Sequence, residues 1–196
     1  ADEIDNHFTE KQILCFNELT KHLPGPKTLA NSAGILAWPQ THADWVRPGI
    51  MLYGISPFAN KTGPEFNLKP VMTLQSELIS VKTIKAGEIV GYTGRWICPE
   101  DMPIGIVACG YADGYPQMTA DNTPVLVNQK PASIVGRVSM DMLAVDLRQC
   151  PGAKIGDPVI LWGKSLPVEI VAKAANMSPY QVVCNISKRV KVIFEN

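Results

Sequence analysis

The sequence predicts a mainly β protein, in which a β-rich, partly barrel-like C-terminal domain follows a short α/β segment. Two observations predict this fold class. Residues 1–60 combine helical periodicity with a buried apolar run, whereas strand patterns separated by turn signals fill the chain from about residue 69. A length of 196 residues suits one or two domains. Residues 58–70 are polar and contain proline and glycine, so we place a boundary there and predict domains 1–68 and 69–196.

In the N-terminal segment, a helix is predicted over residues 9–23. Thr9 and Gln12 match a T-x-x-Q capping box, apolar residues recur at helical spacing, and a Pro-Gly pair ends the pattern. The apolar run over residues 50–55 is flanked by prolines and predicts a fully buried strand. Because a closed barrel of such α/β units needs ~250 residues, we interpret residues 1–68 as the end of an incomplete (β/α)8 barrel.

The C-terminal domain is predicted to be an antiparallel sheet. Apolar runs recur every ~8–12 residues between turn signals, which is typical of sandwiches and barrels. One or two short helices are predicted within residues 167–186, and a final strand over residues 188–194. The earlier strands are predicted within residues 71–84, 89–96, 103–115, 123–138, 142–147 and 157–163.

The composition argues against several functional classes. Eighteen basic and eighteen acidic residues give a net charge of 0, and no basic stripe is present. Nucleic acid and anionic membrane surfaces are therefore not expected as main partners. No apolar run approaches the ~18 residues of a transmembrane helix. The polar, acidic start ADEIDNHFTE carries no signal-peptide pattern, so we expect a cytoplasmic protein.

The five cysteines are widely spaced and never form a C-x-x-C pair. We expect the reduced, buried thiols of a cytosolic protein rather than a disulfide framework or a cysteine zinc site. The three histidines are far apart and lack metal-ligand spacing, so we expect no structural metal.

Seven segments together carry a family resemblance. They are NSAGIL (31–36), DWVRPGIMLYGISP (44–57), GEIVGYTGRW (87–96), GIVACGYADGYP (105–116), IVGRVSMDMLAVDL (134–147), GDPVILWG (156–163) and PYQVVCNISKRV (179–190). In this order and at about these spacings, they resemble the C-terminal half of alanine racemase, a family of pyridoxal-phosphate enzymes. The resemblance implies a (β/α)8 barrel followed by a β-rich domain. It also implies an isomerase that interconverts L- and D-alanine for cell-wall peptidoglycan precursors.

The resemblance assigns the role of catalytic base to Tyr92. Racemisation removes a proton from one face of the α-carbon and returns one to the other, so two bases on opposite faces suit the reaction. In the family the second base is the lysine that carries pyridoxal 5'-phosphate, which serves as the electron sink. A free tyrosine, with a pKa of ~10, needs a neighbouring cation to act as a base near neutrality. The resemblance places that cation upstream of this chain; without the resemblance, Tyr92 is a packing residue of a strand.

Arg47 matches the family's arginine beside the pyridine nitrogen of the cofactor. A guanidinium only donates hydrogen bonds. It therefore leaves that nitrogen unprotonated and makes the ring a weaker electron sink. The alternative interpretation is a structural ion pair between Arg47 and Asp44.

Ser32, Gly49, Ile50 and Tyr180 match residues that bind the cofactor phosphate. Ser32 offers a hydroxyl, while Gly49 and Ile50 offer backbone N–H groups. Barrel enzymes often hold phosphate in the loops after their last two strands. Tyr180 matches a tyrosine whose hydroxyl contacts the same phosphate. A helix cap at Ser32 and a turn at Gly49 are structural roles that are compatible with phosphate binding.

Met140 and Tyr111 match residues near the substrate carboxylate and the site entrance. The Met140 N–H suits a carboxylate, and its side chain suits a small pocket. Without the resemblance, Met140 is a buried strand residue and Tyr111 a turn aromatic. Asp113 and Asp141 lie in A-D-G and M-D-M contexts, which fit turn and strand-end duties better than acid–base roles.

The family's cofactor lysine lies in a V-K-A-N-A-Y-G-like context that no lysine of this chain shares. We therefore expect a C-terminal portion of the enzyme that does not racemise alanine by itself. In the family, the tyrosine base and the carboxylate-binding methionine serve the lysine of the partner subunit. The resemblance thus implies a homodimer with shared active sites.

Two alternatives stay open from the sequence. A non-catalytic β module that binds a partner chain or a small ligand would leave Tyr92, Tyr111 and Met140 without a shared face. The second alternative is a racemase that acts on another amino acid, such as serine or a basic one.

Overall fold

The computed structural model describes residues 1–195 as two compact units, the first ending at Val71 and the second beginning at Met72. The predicted fold class is confirmed, because the second unit is built on a β-sheet and the first is a short, mainly helical segment. Within the described range, no helix has the length and hydropathy needed to cross a membrane.

The first unit contains helices α1 (Phe8–Thr20) and α2 (Ser32–Ala37) and three 3-10 turns, Pro39–Thr41, Ile50–Tyr53 and Gly63–Phe66. All of these elements are short. Only α1 exceeds the single turn or two that the others make.

Helix α1 begins at Phe8 and ends at Thr20, whereas the predicted helix spans residues 9–23. The predicted capping box is wrong, because His7 is the N-cap and Thr9 lies buried inside the helix. The side-chain oxygen of Asn6 accepts the Phe8 N–H at 2.9 Å and so satisfies one of the free donors of the first turn.

The predicted buried strand over residues 50–55 is wrong, because Ile50–Tyr53 forms a 3-10 turn. The Ser32 hydroxyl accepts the Gly49 N–H at 2.9 Å, which turns the chain at the start of this run. Gly54 ends the turn in the left-handed region, with a φ of 75°. The apolar composition is that of a strand, but local backbone hydrogen bonds from Leu52 to Gly49 and from Gly54 to Met51 close a turn instead.

A parallel bridge between Thr28 and Trp45 is the trace of an α/β arrangement in the first unit. Thr28 leads into α2, and Trp45 leads into the 3-10 turn at Ile50–Tyr53. Each bridging segment is therefore followed by a helical turn, which is the chain order of successive βα repeats.

The second unit contains eight strands: β1 (Leu74–Ile84), β2 (Ile89–Val90), β3 (Trp96–Ile97), β4 (Met102–Val107), β5 (Pro124–Val127), β6 (Lys130–Val135), β7 (Leu143–Asp146) and β8 (Pro158–Trp162). Six of them form a closed antiparallel barrel in the order β1-β4-β7-β6-β5-β8, and β8 pairs back to β1. Strands β2 and β3 form a separate hairpin. The predicted partly barrel-like sheet is thus a fully closed barrel.

The barrel closes because β1 is long enough to pair on both sides. Its first half pairs with β8 and its second half with β4, and a register shift in each pairing bends the strand. Alternate side chains along the strands fill the interior. The fully buried ones include Leu78, Val107, Val125, Val145 and Leu161.

Helices α3 (Val168–Ala174) and α4 (Pro179–Cys184) follow the barrel, as predicted. The predicted strand over residues 188–194 is wrong, because that segment has no helix or strand and exposes Val192, Ile193 and Phe194. The physical reason is the closure of the barrel. A closed barrel has no free edge to which a further strand can add.

All five cysteines are free thiols. Cys98, Cys109 and Cys150 are buried as expected, but Cys15 and Cys184 are exposed, so the expectation of buried thiols is wrong for these two. Burial, assisted by the nearby Asp113 carboxylate, raises the pKa of Cys109 to about 12.

Candidate active site

The predicted site residues fall into two groups, one in each unit. In the first unit, Ser32 is the first residue of α2 and is buried. Its hydroxyl oxygen accepts the N–H groups of Gly49, at 2.9 Å, and Met51, at 3.4 Å. The predicted cap role at Ser32 is wrong, because the side-chain oxygen of Asn31 caps α2 through the Gly34 N–H.

The Ser32–Gly49 contact leaves donors unused. Among residues 1–195, the hydroxyl proton of Ser32 and the N–H of Ile50 have no hydrogen-bond acceptor. Both residues are buried, so these donors are removed from bulk water. Buried donors without acceptors are uncommon in folded proteins, and an anionic ligand would satisfy them.

Arg47 lies beside this group. Its guanidinium donates to the Thr28 hydroxyl at 2.6 Å and to the Leu29 carbonyl at 3.3 Å. The alternative ion pair with Asp44 is not formed in the described structure, since the Asp44 carboxylate accepts the Lys27 N–H at 2.7 Å. Arg47 also lines a cavity of about 340 Å³ within the first unit. Its charge is therefore held by neutral partners and is available to a ligand.

In the second unit, Tyr92 lies at the tip of the β2–β3 hairpin. The prediction of a strand at this position is wrong, because Tyr92–Gly94 forms a 3-10 turn in which Thr93 has a φ of 63°. The Tyr92 side chain is 65% exposed, which is inconsistent with a packing residue. Positive φ at a β-branched residue is unfavourable and is typical of functional turns.

Tyr92 lines a cavity of about 350 Å³ whose other walls are mostly apolar. Arg137 lines the same cavity, and its buried Nε has no hydrogen-bond partner in the described structure. The sequence analysis did not single out Arg137, although it lies in the segment IVGRVSMDM. A half-buried cation beside an exposed phenol favours an anionic group in the cavity.

Tyr111 and Met140 lie in neighbouring loops at one end of the barrel. The loops meet there because β4 and β6 both pair antiparallel with β7. The Tyr111 N–H donates to the Ser139 carbonyl at 3.0 Å, and the Ala112 N–H to the Met140 carbonyl at 2.9 Å. Ser139 also lines the cavity of Tyr92. The structure thus brings Tyr92, Tyr111 and Met140 to the same rim.

The Met140 side chain is 52% exposed, so the alternative of a buried strand residue is wrong. Met140 lies in a tight turn in which the N–H and the hydroxyl of Ser139 both donate to the Met142 carbonyl, at 2.9 Å and 2.8 Å. The Met140 N–H itself has no acceptor among the described residues. It is an exposed donor at the tip of a rigid turn.

The remaining predicted residues have different surroundings. Tyr180 is the second residue of α4 and is half exposed. Asp113 and Asp141 both pair with Arg189, which agrees with the structural duties expected of them. Tyr115, next to this region, is buried in the core, and burial raises the pKa of its phenol.

Comparisons with known proteins agree with this architecture. The family model described as "Alanine racemase, C-terminal domain" matches residues 71–194, and that described as "Alanine racemase, N-terminal domain" matches residues 1–57. An alanine racemase of Aeromonas hydrophila is 50% identical over 192 residues, which are 97% of this chain and 53% of that protein. One of Shewanella putrefaciens is 52% identical over 98% of this chain and 54% of its own length.

Solved structures agree as well. The biosynthetic alanine racemase from Pseudomonas aeruginosa matches with a TM-score of 0.91 and 48% identity, over 95% of this chain and 52% of that one. The alanine racemase from Bartonella henselae, whose structure has covalently bound pyridoxal phosphate, matches with a TM-score of 0.86 and 31% identity, over 98% of this chain and 53% of that one.

These matching relatives and structures are all named alanine racemases, a family of isomerases. The chain belongs to the alanine racemase family, as its motifs predicted. It spans about half the length of the curated relatives that it matches.

Proposed function

We propose that this chain acts as part of a pyridoxal-phosphate-dependent racemase that interconverts L- and D-alanine. The observation that carries the proposal is the gathering of Tyr92, Tyr111 and Met140 at one end of the barrel, beside a cavity that also holds Arg137. A module without catalytic function has no need of an exposed phenol, a free N–H and a cation at one rim. The product, D-alanine, would serve cell-wall peptidoglycan precursors in the cytoplasm.

The first unit suits the cofactor. The hydroxyl proton of Ser32 and the Ile50 N–H would hold the phosphate, while the Gly49 N–H orients the Ser32 hydroxyl. Tyr180, which the resemblance assigns to the same phosphate, belongs to the second unit. Arg47 would face the pyridine nitrogen, which its donor-only chemistry keeps unprotonated. When bound, pyridoxal phosphate supplies the electron sink that stabilises the α-carbon after its proton is removed.

The second unit suits the proton transfer. The Tyr92 phenolate would take the α-proton of L-alanine on one face, while a lysine outside this chain serves the other face. Arg137 lines the same cavity, and its buried Nε, which lacks a hydrogen-bond partner in the described structure, would donate to an anionic group of the substrate.

Substrate recognition would fall to the loops of Tyr111 and Met140. The free Met140 N–H would donate a hydrogen bond to the substrate carboxylate, and the side chains of Met140 and Tyr111, which are partly exposed at this rim, would restrict the site to a small amino acid. Because Tyr92 and Met140 would serve the cofactor of a partner subunit, the proposed enzyme is a homodimer with shared sites.

The test uses the holoenzyme, meaning this chain together with the lysine-bearing part of the racemase and pyridoxal phosphate. Chiral chromatography of L-alanine incubated with the holoenzyme should show conversion to the racemate. The 196-residue chain alone should leave L-alanine unchanged, because no lysine here lies in the cofactor context. If the holoenzyme binds pyridoxal phosphate but converts serine or lysine faster than alanine, that amino acid would replace alanine as the proposed substrate. One that converts none of the three would refute the proposal.

A further inference from the structure

Three segments of the second unit contact one another next to the proposed carboxylate site. They are residues 110–114, which carry Tyr111, residues 139–142, which carry Met140, and residues 185–189 near the C-terminus. We call the first two the substrate loops. We propose that Arg189 is a positioning residue that holds the two substrate loops together and balances the charge of their aspartates, so that the Met140 N–H is set to receive a substrate carboxylate. This inference rests on the function proposed above.

The side-chain contacts of Arg189 reach both substrate loops. Its Nη2 donates to Asp141 at 2.6 Å, and its Nε lies 3.4 Å from Asp113. The Asp113 side chain is only 15% exposed, and its second oxygen accepts the Gly110 N–H at 2.9 Å. One arginine therefore joins a carboxylate from each loop, and one of these carboxylates also fixes the start of its own loop.

Backbone hydrogen bonds continue the same connection. The Tyr111 and Ala112 N–H groups donate to the carbonyls of Ser139 and Met140, and the Ser187 N–H donates to the Asp113 carbonyl at 3.0 Å. The loop over residues 110–114 is thus bonded on one side to the Met140 turn and on the other side to the C-terminal segment.

The loop over residues 110–114 packs tightly against both neighbouring segments. A Cβ on Gly110 would lie 2.3 Å from the Met140 carbonyl oxygen, and a Cβ on Gly114 would lie 2.2 Å from that of Asn185. Gly114 also has a φ of 104°, which other residues rarely adopt. Because the backbones touch directly, the orientation of the Met140 peptide depends on both neighbouring segments.

Electrostatics gives Arg189 a role beyond holding the loops. Asp113, Asp141 and Arg189 together carry a net charge of −1, and removal of the arginine leaves two carboxylates with a charge of −2. These charges lie one residue from Met140 and two residues from Tyr111. Without Arg189 they would repel a substrate carboxylate, and ionic strength would screen that repulsion.

The first test uses the 196-residue chain itself and hydrogen–deuterium exchange. Arg189→Met should speed amide exchange in residues 110–114 and 139–142. Arg148→Met is the matched control. Arg148 also bridges two carboxylates, Asp146 and Glu100, and is 43% exposed, against 51% for Arg189. The control should leave both substrate loops unchanged. Equal exchange in the Arg189 variant and the unmodified chain would overturn the positioning role.

The second test uses the holoenzyme and steady-state kinetics. Arg189→Met should raise KM for alanine by about tenfold, the scale of one charge-assisted hydrogen bond made poorly, with kcat within about twofold. Added salt should reduce the rise in KM. Arg189→Lys should raise KM less than Arg189→Met does. A fall in kcat at constant KM, or a rise in KM that is indifferent to salt, would overturn the inference.

The two tests separate the failures. If the unmodified holoenzyme does not racemise alanine, the proposed function fails, and with it the substrate role of Arg189, whereas exchange still decides whether Arg189 holds the loops. Asp141→Asn serves if Arg189→Met does not fold. Asp141 is 54% exposed, and its substitution should speed exchange in residues 139–142 and at the Tyr111 and Ala112 amides bonded to them, while the Gly110 amide stays protected by Asp113. Unchanged exchange at these amides would overturn the positioning role.

Discussion

The two units of this chain differ in how far each satisfies its own hydrogen bonds and apolar surface. In the second unit, every barrel strand pairs with a neighbour on each side, and side chains such as Leu161 and Val145 are fully buried. In the first unit, the strand pairing in the described residues is one parallel bridge, and α1 exposes Phe8, Leu14 and Leu19, each by more than 60%. The barrel strands therefore satisfy one another's backbone groups and bury a core of their own, while α1 leaves one apolar face uncovered in this unit.

The same division applies to the proposed chemistry. The first unit holds donors suited to a phosphate and a pyridine ring, and the second unit holds the residues proposed as the base and as the carboxylate site. Variants in the first unit should therefore change the affinity for the cofactor, whereas variants in the second unit should change the rate of proton transfer.

The largest effect is expected from Tyr92→Phe in the holoenzyme. Loss of a general base should lower racemisation by about 10²–10⁴-fold in both directions, because each direction needs both bases. In deuterated water, the variant should still exchange the α-hydrogen of D-alanine through the lysine and should exchange that of L-alanine far more slowly. NMR of the α-proton measures both rates.

Cofactor content is the control for this variant. The Tyr92 side chain is exposed at the tip of a hairpin, so its substitution should leave folding and pyridoxal phosphate binding intact. Equal exchange from the two enantiomers would remove Tyr92 from the role of base.

The next largest effect separates the cores of the two units. Leu161→Ala should lower the free energy of unfolding by about 2–5 kcal/mol, because Leu161 is fully buried in the barrel. Leu19→Ala is the matched control in α1. With Leu19 72% exposed, its substitution should change the stability of the 196-residue chain by less than about 0.5 kcal/mol. Urea unfolding of both variants measures the difference.

The control becomes informative in the holoenzyme. If a further part of the racemase covers the exposed face of α1, Leu19→Ala should destabilise the holoenzyme more than the isolated chain. An equal effect in both would contradict the interpretation of that face as an incomplete core.

A smaller effect is expected from Ser32→Ala. The substitution removes one donor to the proposed phosphate and leaves the Gly49 N–H without its 2.9 Å acceptor. Pyridoxal phosphate affinity of the holoenzyme should fall by about tenfold, with kcat at saturating cofactor nearly unchanged. Fluorescence titration with pyridoxal phosphate measures the affinity. A loss in kcat without a loss in affinity would place Ser32 outside the phosphate site.

The sequence predicted the barrel strands well because apolar runs separated by turn residues are a local signal. Strand β5 shows a regular alternation of buried residues, and the turn that follows it, Asn128-Gln129, has the positive φ values of a two-residue hairpin. The run over residues 50–55 has the same apolar composition but forms a 3-10 turn, closed by the Leu52 and Gly54 N–H groups, which donate to the Gly49 and Met51 carbonyls. The turn begins where Ser32, 17 residues earlier, accepts the Gly49 N–H, and no local pattern reveals that contact.

The sequence also predicted only part of the candidate site. The motifs that resemble the family located Tyr92, Tyr111 and Met140, and the structure adds that they share one rim. Arg137 and Arg189 were missed, although both lie within the matching segments. Arg137 shares a cavity with Tyr92, which lies 45 positions away, and Arg189 binds Asp141, which lies 48 positions away. Spacing in a sequence does not show such neighbours.

The smallest effect is an alkaline loss of stability that should be confined to the barrel unit. Burial raises the pKa of Cys109 to about 12, with Asp113 adding to the shift and Arg189 opposing it. A raised pKa means that the folded state holds the proton more tightly than the unfolded state, whose thiol titrates near the ordinary value of 9.0. The stabilisation is therefore complete below about pH 9 and declines as pH rises toward 12, by at most about 1.4 kcal/mol per pH unit.

Urea unfolding between pH 7.5 and 10.5, followed by hydrogen exchange of β4 and of α1, locates the effect. Protection of β4, which precedes Cys109, should fall from about pH 9, while exchange in α1 corrected for its intrinsic pH dependence should not respond. Cys109→Ala should flatten part of the slope, and the remainder should come from Tyr115, because burial raises the pKa of its phenol as well. If Cys109→Ala leaves the fall in unfolding free energy with pH unchanged, titration of the buried thiol does not cause the alkaline loss of stability.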